Sequence, residues 1–188
     1  MGAVAVTTLP RRLGRVKRRA ARSEGRAADP GFKQCLLVPL SFPGSVMVIE
    51  ALVPFPVVTP IVVAWGDMDA FGHVNNTRYF RFFETARIAY FHQGALLDGV
   101  VGPILAATSC KFRAPVTFPD TVHVGARVMS VHEDRFVMEH IVWSEALQTV
   151  AARGEAVIVS YDYVQKTKAA LPPAWVDAMR AIEGKEIG

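Results

Sequence analysis

Residues 66–76 read GDMDAFGHVNN, which puts Asp67, Asp69, His73, Asn75 and Asn76 within one short stretch. Asn75 or Asn76 is a good N-cap. A helix starting there presents unpaired main-chain N–H groups and the positive end of its dipole to the residues before it. Such a terminus polarises a carbonyl and holds a developing oxyanion. Asp69, seven residues before Asn76 across a turn relaxed by Gly72, can face the same point. A carboxylate and an oxyanion donor are the minimum equipment for acyl transfer to water. The same residues also make an ordinary cap and turn, because Asx side chains before helices usually bond the nearby main chain. His73 alone fits a surface turn. Both readings stand at this point. Other chemistries lack their residues: no metal-ligand spacing, no GxSxG nucleophile and no Gly-rich phosphate loop.

The elements around the stretch must position it. Val57 to Trp65 is β-branched and aromatic and reads as a strand. From Asn75 or Asn76 to about His92, Tyr79, Phe83, Ala86 and Tyr90 recur at helical spacing, with Phe82 and Ala89 widening the stripe. Arg78, Arg81, Glu84 and Arg87 fall largely on other faces, and Gly94 is a stop signal. Four strands follow, Pro103–Pro115, Thr121–Val131, Arg135–Glu145 and Val150–Val164, joined by short links such as His132-Glu133-Asp134. A short helix, Ala174–Ile182, comes after Leu171-Pro172-Pro173. The pattern predicts an α+β domain in which a five-stranded antiparallel meander packs on one long helix. One helix leaves much of the sheet bare, so a second subunit is expected to cover the rest.

With 188 residues the chain holds one domain with a full core. Cys35 and Cys110 are too few for a disulfide framework and read as reduced thiols in a cytoplasmic-type compartment. The net charge of +4 is uneven: residues 1–46 carry nine basic against two acidic residues, and 47–188 carry twelve against fifteen. The domain is mildly acidic, which argues against nucleic acid as its partner. The apolar stretch from Cys35 to Gly66 is broken by five prolines and is too interrupted for a membrane span. Residues 1–30, rich in Arg and Ala, look like an organelle transit peptide. The competing expectation is that Met47 is the true initiator and 1–46 a basic extension outside the 47–188 domain.

WGDMDAFGHVNNTRYFRFFETAR resembles the signature of the 4-hydroxybenzoyl-CoA thioesterase family of the hotdog superfamily and its acyl-CoA thioesterase relatives. The likeness continues through GPILAATSCKFRAPVTFPDTVHVGARV, the Arg135–Trp143 strand and GEAVIVSYDYVQKTKAALPPAW, and so covers roughly 57–176. It implies a curved antiparallel sheet wrapped around one long helix, a homodimer or homotetramer, and hydrolysis of acyl-CoA without cofactor or metal. Asp69 matches the family's catalytic carboxylate, Asn76 the position whose N–H is the oxyanion donor, and Gly72 the turn glycine. His73 is auxiliary, and Asp67 fixes the loop. In the 4-hydroxybenzoyl-CoA enzymes a basic hairpin meets the phosphates of CoA. Here the matching link offers Arg135, and His132 as a second candidate, beside two acids, with Lys111 and Arg113 as alternatives. An acyl-carrier-protein thioesterase and a non-catalytic acyl-CoA-binding protein remain the rival functions. Phe71, Val74, Tyr79 and Phe83, with Phe82 and Ile104, are candidates for the acyl pocket, although the helix members serve equally as core.

Overall fold

The structure is a computed structural model that describes residues 48–97 and 99–187. The expectations for residues 1–46, including Cys35, organellar import and the alternative start at Met47, lie outside the described residues. The elements run β1 (Val57–Val62), α1 (Asn76–Gln93), β2 (Val101–Phe112), β3 (Thr121–Val131), β4 (Arg135–Ser144), β5 (Thr149–Asp162), β6 (Thr167–Lys168) and α2 (Pro173–Glu183). The element types agree with the sequence pattern, and most bounds shift by a residue or two. β1 stops at Val62 because Val63 turns into the core, its N–H donating to Asp120 O at 2.9 Å.

The sheet order is β1-β3-β4-β5-β2, with the two-residue β6 pairing the end of β5. This corrects the simple meander. β3–β4 and β4–β5 are hairpins, but β2 pairs with β5 and β1 with β3, so β4 and β5 lie between β2 and β3. The connection from Arg113 to Asp120 is therefore a crossing and not a turn. Pro115 and Pro119 cannot donate to a ladder, Val116 is fully buried, and its carbonyl accepts the Val74 N–H at 2.8 Å. The segment crosses the end of the sheet beside the start of α1.

α1 begins where Asn75 caps it, Oδ1 accepting the Thr77 N–H at 3.0 Å. Tyr79, Phe82, Phe83, Ala86, Tyr90 and Phe91 then pack on the concave face of the sheet with Val122, Val124, Val128, Phe136, Met138 and Ile158. Arg87 departs from the expected polar face and is buried, because so broad a helix face leaves little room for an exposed flank. Gly94 ends the helix by close approach: a Cβ there would sit 2.3 Å from Leu96 Cδ1. α2 closes the open end of the core with Trp175 and Met179. Its Glu183 Oε1 accepts Tyr90 Oη–H at 3.0 Å and the Val128 N–H at 2.6 Å, next to the β3 bulge that would otherwise leave that donor unpaired.

Part of the outer face is covered by the chain itself. Leu52 and Phe55, from the segment that leads into β1, pack on Ile141 and Trp143. The Phe55 ring lies so close that a Cβ on Gly125 would approach its Cγ to 2.7 Å, and the Arg127 guanidinium stands 5.0 Å from the ring centre. For this part of the sheet, cover by a second subunit is not required.

Candidate active site

The polar stretch folds as a small hairpin between β1 and α1. Met68 and Val74 form an isolated bridge. Asp69 N–H donates to His73 O at 2.9 Å and Gly72 N–H to Asp69 O at 3.0 Å, a three-residue loop closed by Gly72 at φ +78°. A side chain would be strained at that angle. Asp69 starts the turn as Asx residues do, Oδ1 accepting the Phe71 N–H at 2.9 Å. Its other oxygen accepts Asn75 Nδ2–H at 3.3 Å, so the capping residue also orients the carboxylate.

Asp67 has a different environment. It is buried, Oδ2 accepts the Ala64 N–H at 2.9 Å, and Oδ1 accepts Arg78 Nε–H at 2.6 Å within an ion pair. Its carbonyl accepts the Asn75 N–H at 2.8 Å. Asp67 thus ties the end of β1 to the first turn of α1. Below it, the carbonyl of Asp120 holds Val63 while its buried carboxylate accepts Ser144 Oγ–H at 2.5 Å and the Ala146 N–H at 2.8 Å. The seam is anchored to the ends of β1, β3 and β4 at once.

Asp69, His73, Val74, Asn76, Tyr79, Phe112, Arg113, Ala114 and Pro115 line one open cleft of about 430 Å³. Asp69 and Asn76 therefore face common space. The Asn76 N–H has no partner among the described residues, as expected of the first turn of a helix whose cap side chain serves Thr77. A half-buried carboxylate and a free N–H at a positive helix end can together act on a bound carbonyl.

The other expected residues divide. His73, Val74 and Tyr79 reach the cleft. Arg113 lies on its rim, and Lys111 shares an adjoining groove with Arg113 and Arg153. Arg135 does not join them: it pairs with Val159 whereas Phe112 pairs with Ala152, a separation of seven residues along β5, or about 23 Å. It is tied instead to Asp134, whose carboxylate the guanidinium holds below its usual range. Phe83 is sealed in the core, Phe82 packs behind Tyr79, Phe71 is 87% exposed at the hairpin tip, and Ile104 is at the far end of β2. Sequence reasoning missed the opposite wall, Phe112, Ala114 and Pro115. The prolines flanking that crossing were the available signal.

The family model described as the thioesterase-like superfamily matches residues 63–179. Among solved structures, the chain is similar to the PA5185 protein of Pseudomonas aeruginosa strain PAO1, at 31% identity over 69% of this chain and 92% of that one, with a TM-score of 0.63. It is equally similar to a thioesterase of Thermus thermophilus solved with coenzyme A and Zn, at 31% identity, 72% and 99% coverage and a TM-score of 0.65. A 1,4-dihydroxy-2-naphthoyl-CoA thioesterase from Synechocystis, 20% identical over 65% of this chain and 94% of that one, shares the fold at a TM-score of 0.59. No curated protein matches. With the family model spanning the seam, the cleft and nearly all of the sheet, the chain belongs to the thioesterase-like superfamily, has its hotdog fold and is a thioester hydrolase.

Proposed function

We propose that the protein hydrolyses an acyl-CoA to the free acid and CoA at the cleft between the hairpin and β2. The carrying observation is that the Asp69 carboxylate and the unpaired Asn76 N–H line the same space. The thioester oxygen sits on the Asn76 N–H, where the helix end stabilises the negative charge that develops as the carbonyl is attacked. Asp69 takes the proton of the attacking water, the C–S bond breaks, and the proton passes to the departing thiolate. In the alternative route Asp69 itself attacks, and water then cleaves the mixed anhydride. The phosphates of CoA run toward Arg113 and Lys111. Glu139 in that groove is neutralised by Arg127 and Arg153, so it does not repel them.

Thiol release from a panel of acyl-CoAs tests the reading. Asp69→Asn is expected to lower turnover by roughly 10²–10⁴-fold, and near-normal turnover in that variant would remove Asp69 from the chemistry. A single turnover in ¹⁸O-water separates the routes: label in Asp69 marks the covalent one.

The proposal includes a homodimer formed through β2. Residues 104–109 of this strand are all exposed, on both faces, and Ile104, Leu105 and Phe112 leave apolar surface at its free edge. A second copy pairing there would cover that surface and close the open side of the cleft.

A further inference from the structure

The cleft has a floor. Tyr79 follows Asn76 by three residues and shares its face of α1, so its Cα stands about 4.5 Å farther along the helix axis and both residues line the cleft. The ring is held on several sides. Phe82 meets it edge-on with centroids 5.8 Å apart, and Phe112 does so at 5.1 Å. Val116 belongs to the same buried cluster, and its carbonyl is fixed by the Val74 N–H. Tyr79 is 3% exposed and cannot swing aside without disturbing these neighbours.

Among the described residues, the space behind it is filled by core side chains. Phe83 and Ala86, the next residues on that stripe, are fully buried. The Phe83 ring lies on the sheet so closely that a Cβ on Gly154 would be 2.4 Å from its Cε2. An acyl chain entering from the Asp69–Asn76 end meets the Tyr79 and Phe112 rings, with Phe83 and Ala86 packed behind them.

We infer that the site takes a compact acyl group, a short aliphatic chain or a single ring, and that Tyr79, braced by Phe112, sets the limit. The inference rests on the thioester-hydrolysis reading above. Each methylene that gains full burial is worth about fourfold in kcat/KM. Methylenes past the Tyr79 ring stay on the rim and add nothing or must fold back. A single ring fits because it can pack edge-to-face on the Tyr79–Phe112 pair.

The test is kcat/KM for acetyl-, butyryl-, hexanoyl-, benzoyl-, lauroyl- and palmitoyl-CoA with the full chain, alongside Tyr79→Ala, Phe112→Ala and Tyr79→Phe. The expected profile rises to the butyryl, hexanoyl and benzoyl esters and then levels or falls, so that the palmitoyl-to-hexanoyl ratio is about 1 or less, since further methylenes go unburied and forgo their roughly fourfold gain each. Tyr79→Ala and Phe112→Ala should raise that ratio, and Tyr79→Phe, which keeps the ring, should preserve it. Phe112 is half exposed, so its truncation remains informative if Tyr79→Ala does not fold. A wild-type profile that climbs through palmitoyl overturns the inference. Folded alanine variants with the wild-type ratio overturn the role of Tyr79. No hydrolysis of any ester, leaving no profile to compare, overturns the underlying reading instead.

Discussion

Asp67 and Asp69 stand two positions apart, and their surroundings assign them different work. Asp67 is buried against Arg78 and the Ala64 N–H, every bond spent on holding β1 to α1. Asp69 borders open space and gives its two oxygens to a turn N–H and an amide. The conservative amide substitution should therefore produce opposite phenotypes. Asp67→Asn loses charge-assisted bonds and should destabilise by about 1.5–3 kcal/mol while the remaining folded molecules stay active. Asp69→Asn should melt within about 0.5 kcal/mol of wild type and lose turnover. Thermal melts beside thiol-release assays check both; matching behaviour of the two variants would contradict this division. That Asp69 and Asn76 face one space across a turn at Gly72 was legible in the sequence, because the three are close neighbours along the chain. Phe112 and Pro115 were not, since they reach the cleft only through the crossing between β2 and β3, which no local pattern encodes.

At the scale of elements, α1 and the sheet meet in a row of registered partners: Ala126 on β3, His140 on β4, Gly154 on β5 and Cys110 on β2. The Phe83 ring fills the space above Gly154 and lies 5.1 Å from the His140 ring. His140 is fully buried, and neither ring nitrogen has a partner among the described residues. Burial, with the nearby Arg87 guanidinium second, pushes its pKa down to about 3. The folded pKa thus lies below the unfolded value near 6.5. The stability this neutral histidine allows is present above pH ~6.5 and is lost as pH falls toward 3, by about 2 kcal/mol between pH 7 and 5. His140→Leu, similar in volume, should equal or exceed the wild type at pH 7, because no buried nitrogen is left unpaired. It should also lose less stability on going to pH 5. Denaturant titrations at the two pH values decide it, and an identical pH slope in the variant would count against the account. The periodicity of α1 and the limits of β3 were readable because helix and strand periods are local. The order of the strands was not, because β2 shows alternation of neither face. Its residues are exposed on both sides, and only the partners it meets distinguish it from a hairpin strand.

For the molecule as a whole, the sequence suggested a sheet too large for one helix; residues 104–109 of β2 are exposed, and Val58 and Val62 of β1 are as well. The middle of the outer face is closed by Leu52 and Phe55, from a stretch whose prolines hide any period. The packing partner could not be read because Gly125 shows its purpose only once Phe55 rests on it. Among the described residues no helix is long and apolar enough to cross a membrane. What the sheet leaves available is two edges of different kind, β1 and β2.

Pro60 lies in the middle of β1, and a proline is admitted within a strand where its missing donor faces solvent. One edge is thereby a poor template for further pairing, while the other is long and open. In the proposed dimer the sheet grows β2 to β2, a union of like with like that a two-fold axis completes and terminates. Were both edges receptive, β1 of one molecule could join β2 of the next, and nothing would stop the series. Sedimentation should find the wild type no larger than a pair as its concentration is raised. Pro60→Val should add larger species that grow with concentration, and a variant that stays a pair would show that the proline guards nothing. A single ring nitrogen without a proton would then separate an enzyme of defined size from a fibre.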